Sequence, residues 1–171
     1  FIWDSSFGRG DPTLEFMSVN VESYTLKIHK ISPFDASRLR YRLGSIHNRY
    51  NPRPDLESLK KSEQVTVEVP QNNGSPIISS TNLTPYLQFP KEKLGILYIE
   101  VEREGLDHCF IVQSTRLGLD AFCEKGATHV WVNSLEEGKP LSNVVVQPFH
   151  EGRDYKDVIK GESFQLDEDL T

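Results

Sequence analysis

Apolar and polar side chains alternate with a period of two in segment after segment of this chain, and that period leaves the backbone little choice. Tyr24, Leu26 and Ile28 fall on one side of their segment, with Thr25, Lys27 and His29 on the other. Val65, Val67 and Val69 repeat the pattern. Leu97, Ile99 and Val101 repeat it again, with Tyr98, Glu100 and Glu102 expected to point outward. Side chains that alternate in this way put one face of a β-strand into a core and the other into water. Gly105-Leu106-Asp107 separates residues 95–104 from 108–114, where Phe110 and Val112 share a face, so 95–114 reads as a β-hairpin. Residues 116–150 continue as strand, turn, strand, turn, strand. The second strand runs through Val130 and Val132. The turn after it spans Leu135 to Leu141, where Gly138 supplies the positive φ of a tight reversal and Pro140 presets the next strand.

One segment breaks the rhythm. Pro33-Phe34-Asp35 interrupts the strand pattern of residues 13–32, and Asp35 or Ser37 is placed to cap a short helix near 35–50. Leu39, Leu43, Ile46 and Tyr50 follow at helical spacing. Residues 71–82 read as loop, with Asn73-Gly74 as a turn signal, and residues 83–89 as a short 3₁₀ or irregular piece. Strands are expected at 117–123, 128–134, 142–149 and 162–167. The organisation is therefore an all-β antiparallel sandwich over residues 1–114 with one short helical insertion, and a second module beginning at 115. A sandwich module uses about seven strands in about 100 residues. The block 115–171 has room for about half of them, so it is either truncated or completed by strands from elsewhere.

Composition narrows the function. Hydrophobic residues make up 37% of the 171, enough for a core, which argues against wholesale disorder. The net charge of −6 carries no basic block, so nucleic acid and anionic lipid are not drawn by long-range attraction. No apolar run approaches the roughly 18 residues that a membrane span needs. The chain opens on Phe1-Ile2-Trp3 with neither an initiator Met nor a signal-peptide pattern, which reads as an excised or processed piece.

Three blocks in series resemble the bacterial alpha-2-macroglobulin-like family. Asn20 to Ile31, NVESYTLKIHKI, is similar to the strand that opens a macroglobulin module. Leu83-Thr84-Pro85-Tyr86-Leu87, followed by Gly95 to Val101, resembles that family's hairpin approach. Thr115-Arg116-Leu117-Gly118-Leu119, Val130 to Leu135 and Gly138 to Val144 look like the start of a next module, with Arg116 where the family usually carries Asp. The resemblance spans most of residues 14–150. It implies macroglobulin-type (immunoglobulin/fibronectin-III-like) sandwich modules, acting as a non-catalytic structural part of a broad-spectrum protease trap. The expected partners are neighbouring macroglobulin modules of the same chain and the target proteases of the full-length protein, in the periplasm or outside the cell. The family's thioester motif is absent: Cys109 is followed by Phe-Ile-Val and Cys123 by Glu-Lys-Gly. No bait region is evident either. Neither covalent capture nor bait cleavage is therefore assigned to residues here.

The remaining constellations each carry a plain structural reading. Arg9-Gly10-Asp11, in a Gly-rich lead-in, is the tripeptide that integrins read, and it supplies the alternative function: an extracellular adhesion or ligand-binding sandwich. Asn73-Gly74-Ser75 and Asn82-Leu83-Thr84 fit the N-glycosylation pattern, which matters only in a eukaryotic secreted protein. Cys109 and Cys123 are either small buried apolar side chains or a cross-strand disulfide. Histidines 29, 47, 108, 129 and 150 are scattered without ligand spacing, so no metal, cofactor or catalytic set is expected. Glu136-Glu137 and Asp167-Glu168-Asp169 read as solvated acids or a weak Ca²⁺ contact. Trp131 points away from Val130 and Val132, so one of its strand's faces is core and the other is a candidate contact with a neighbouring module.

Overall fold

A computed structural model describes residues 2–4, 10–36, 39, 63–70, 74–103, 106–151, 158–160, 162 and 164–165. The strands, in chain order, are β1 (Ile2–Asp4), β2 (Thr13–Ser18), β3 (Ser23–Lys30), β4 (Glu63–Glu68), β5 (Ile77–Asn82), β6 (Gly95–Arg103), β7 (Leu106–Thr115), β8 (Leu117–Glu124) and β9 (Ala127–Ser134). Short pieces follow: β10 (Val145–Val146), β11 (Phe149–Glu151), β12 (Val158–Lys160) and β13 (Phe164–Gln165). Five strands form one sheet in the order β1-β7-β6-β3-β4. All its neighbours are antiparallel except β1, which lies parallel to the end of β7, Ile2 beside Gln113. A second sheet pairs β2 with β5.

The two sheets pack face to face because β3 and β6 deliver their alternating apolar residues to the same side. Leu26, Ile28, Leu97, Ile99 and Val101 meet Leu14 of β2, and Leu83 and Leu87 close the end of the layer. Phe16 sets its ring edge-on to Tyr24, with centroids 5.1 Å apart. The buried hydroxyls of Tyr24 and Ser79 share a hydrogen bond of 2.7 Å, so each satisfies the other inside this layer. Ser79 also shows why β5 is missed in the sequence. Residues 71–82 read as loop, yet Ile77–Asn82 is a strand whose inward positions are filled largely by polar side chains.

The opposite face of the large sheet is also covered, and here an expectation fails. Tyr98 was expected to face water with Glu100 and Glu102; it is fully buried. Ile31, Leu39 and Tyr98 form a second core with Ala36, Ile96, Cys109 and Ile111 packed against it. The segment at 33–36 and 39 is helical and supplies that cover. Its cap is Ser32, not Asp35 or Ser37. Ser32 Oγ accepts from the Asp35 amide (3.1 Å), and Asp35 Oδ2 accepts from the Ser32 amide (3.3 Å) and hydroxyl (2.7 Å). This is a reciprocal capping box, with Pro33 at the first helical position. Leu43, Ile46, His47 and Tyr50 lie outside the described residues. The expected strand 142–149 is instead Val145–Val146, paired with Phe164–Gln165, and Phe149–Glu151, paired with Val158–Lys160.

One side chain stitches the end of the β3–β6 pair, in the interior of the sheet. Gln88 Nε2 donates to Ile31 O (2.7 Å) and Ile96 O (2.9 Å), and its Oε1 accepts from Ile96 N (2.8 Å). The amide thus imitates a piece of strand. Gly95 is required beside it, because a Cβ there would lie 2.0 Å from Gln88 Oε1 and 2.9 Å from Gln88 N. We expect Gln88→Met, which keeps the volume and removes every one of these bonds, to cost on the order of 2 kcal/mol. In urea unfolding followed by circular dichroism the midpoint should fall with the slope unchanged. An unchanged midpoint would show that the amide is dispensable.

Candidate interaction surface

The passage 116–141 builds a hairpin that stands apart from the sandwich. β8 and β9 pair along their full length, Leu117 opposite Ser134 through to Glu124 opposite Ala127, and form a two-stranded sheet of their own. The turn that follows behaves as the sequence dictates. Gly138 has φ +66°, its amide donates to Ser134 O (2.8 Å), and Ser134 Oγ accepts from the Glu137 amide (3.1 Å). The chain then returns along β9: Leu141 N donates to Val132 O (2.8 Å), and Pro140 bridges Asn133. At the base, Leu135 N donates to Arg116 O (3.0 Å), and Leu135 Cδ2 sits where a Cβ on Gly118 would be only 3.0 Å away.

Directly paired residues share a face of a strand pair. Leu117, Leu119, Ala121 and Cys123 therefore face with Ser134, Val132, Val130 and Thr128, an aliphatic side. Asp120 and Phe122 face with Trp131 and His129, an aromatic and acidic side. Only Val132, near the base, is buried. Leu119 is 56% exposed on one side; Phe122 is 59% and Trp131 49% exposed on the other. A strand with apolar residues on both faces reads as one meant to be covered twice, and a lone two-stranded hairpin is marginal in water. Exposed apolar side chains on both faces make the hairpin a candidate interaction surface. The His129 ring stacks near Trp131, with centroids 6.2 Å apart and planes at 24°, and His129 Nε2 lies 2.7 Å from Glu124 Oε1.

The other candidates from the sequence are dispersed. Asp11 of the Arg-Gly-Asp tripeptide is engaged: its carboxylate pairs with Lys93 Nζ (3.0 Å) and accepts from Asn82 Nδ2 (2.7 Å), while Arg9 lies outside the described residues. Asn82 also accepts from the Thr84 amide (2.8 Å), so its sequon is folded into a turn; Asn73 lies outside the described residues. No disulfide joins Cys109 to Cys123, and Cys123 is exposed rather than buried. Glu137 reaches Lys139 at 3.7 Å, and 167–169 are not described. His108 is exposed on β7, and β1 holds Trp3.

His29 is the residue that sequence reasoning undervalued. It is buried with neither ring nitrogen hydrogen-bonded, and Nε2 is 3.9 Å from Glu100 Oε2, too long for a bond. Its ring lies 5.8 Å from that of Tyr98, whose hydroxyl burial holds protonated well above the usual tyrosine range. The alternating pattern placed His29 on the outer face, and only the helical cover makes that face interior. Among the described residues no three His, Cys, Asp or Glu side chains gather as a metal site.

Antiparallel sheets packed face to face, with a short helix over one face, define an all-β sandwich. Two solved structures share it. The chain is similar to native alpha-2-macroglobulin from Escherichia coli spanning domains NIE-MG1, at 11% identity and a TM-score of 0.57, over 91% of this chain and 78% of that one. It is also similar to native alpha-2-macroglobulin from Escherichia coli spanning domains MG0-NIE-MG1, at 12% identity and a TM-score of 0.54, over 91% of this chain and 52% of that one. At such identity the likeness is one of fold. No protein-family model and no curated protein sequence matches the chain.

Two expectations follow. Phe122→Ser should change the unfolding free energy by no more than about 0.5 kcal/mol, as for a surface site, whereas Leu26→Ala should cost about 2–5 kcal/mol; a large loss from Phe122→Ser in urea melts would mean the hairpin is core. Separately, the Lys93 ammonium, then the Asn82 amide, hold the Asp11 carboxyl below its ordinary value of 3.8. Its contribution to stability is present above that ordinary value and is lost as pH falls through the lowered one. In a ¹³C NMR titration the Asp11 midpoint should rise toward 3.8 in Lys93→Met; no rise would disprove the pairing.

Proposed function

We propose that the chain is a non-catalytic structural segment of an alpha-2-macroglobulin-like protease trap, working by holding module against module. The hairpin β8–β9 carries this reading. Its apolar residues face water on both sides, which suits a strand pair covered by neighbouring modules. The fold-level likeness to alpha-2-macroglobulin from Escherichia coli supports the choice of family. In this proposal residues 1–114 form one module and 115–171 begin the next. The partners are neighbouring modules of the same polypeptide and, for the whole protein, its target proteases. The setting is the periplasm or the extracellular space, and no step of bond making or breaking falls to residues of this chain. The adhesion alternative loses support, because the Asp11 carboxylate that an integrin would need is held by Lys93 and Asn82.

The test separates scaffold from inhibitor. Added to trypsin at equimolar ratio, the chain alone should leave casein cleavage unchanged. The longer polypeptide that this proposal requires should suppress casein cleavage while sparing a small chromogenic peptide. Inhibition by the chain alone, or equal suppression of both substrates, overturns the reading.

A further inference from the structure

Whatever covers Phe122 and Trp131 must also cover Asp120. Asp120 lies directly opposite Trp131 on the same face of the hairpin, is exposed, and makes neither hydrogen bond nor ion pair among the described residues. The other acid of this face, Glu124, already has a partner in His129 at 2.7 Å. No Lys or Arg shares the face with them. An uncompensated carboxylate taken out of water loses its hydration with nothing in return, so an entirely apolar cover is disfavoured. An indole beside a carboxylate is, in turn, complementary to a cation. A guanidinium can lie flat on the ring and turn its N–H fork to the acid, and arginine does both better than lysine. Directly opposed residues have Cβ atoms about 5 Å apart, a separation that one guanidinium spans.

We propose that the Asp120–Trp131 pair is the receiving site for an arginine side chain presented by an opposing protein surface, with Phe122 as the apolar neighbour that the rest of that surface buries. The site needs only the exposed hairpin, so it stands or falls independently of the protease-trap reading. The net charge of −6 adds long-range attraction for a basic partner surface.

The experiment is an NMR titration of the chain at low salt with hexa-arginine, hexa-lysine and cellohexaose, following the Trp131 indole N–H and the Asp120 amide. Hexa-arginine should shift both, and hexa-lysine should bind more weakly. Asp120→Asn, which preserves shape at an exposed position, should weaken hexa-arginine binding about five-fold or more, the range of a cation–π contact with a carboxylate. Trp131→Leu should do the same, while Glu15→Gln on β2 should leave binding unchanged. Equal binding by Asp120→Asn and the parent, or shifts that map elsewhere, overturns the proposal. So does tighter binding of cellohexaose than of hexa-arginine, which would make the face a sugar platform.

Discussion

Burial of β3 and β6 on both faces is the constraint on which the rest of the structure depends. The register sets Leu26 beside Val101 and Ile28 beside Ile99 toward the second sheet, and His29 beside Tyr98 toward the helical segment. Side chains alternate strictly along a strand, so a slip of one residue would exchange the two cores. It would bring Lys27 and Glu102, now paired at 2.6 Å outside the first core, into an apolar layer. The β2–β5 pair and the helical cover thus each depend on one shared register.

Much of this was legible because a period of two is a local signal. The alternations around Tyr24 and Val65, the inward set Leu97, Ile99 and Val101, the hairpin of 95–114, the strands near 117–123 and 128–134 and the Gly138 turn stand as the sequence spelled them. What was not legible depended on partners far away in the chain. Tyr98 alternates like a surface residue and becomes interior only because Ala36 and Leu39 pack over it. Ile77–Asn82 carries the composition of a loop and becomes a strand only because β2 pairs with it. The Ser32 cap was misplaced by the nearby Asp35, which turned out to be the other half of the same box.

The interaction surface was half legible. Trp131 was separated from Val130 and Val132 by simple alternation, and the structure leaves it at the surface. Alternation could not show that the aliphatic side would be open as well, since that depends on which layer, if any, lies above it. A hairpin whose two sides differ in chemistry, one aliphatic and one aromatic with acids, is suited to two different neighbours rather than to one.

Gln88 carries a liability out of proportion to its size. A carboxylate in its place would have the same outline and no donor, and would press negative charge against the carbonyl oxygens of Ile31 and Ile96. Spontaneous loss of ammonia from this one side chain would thus loosen the seam between two strands without altering a single apolar contact.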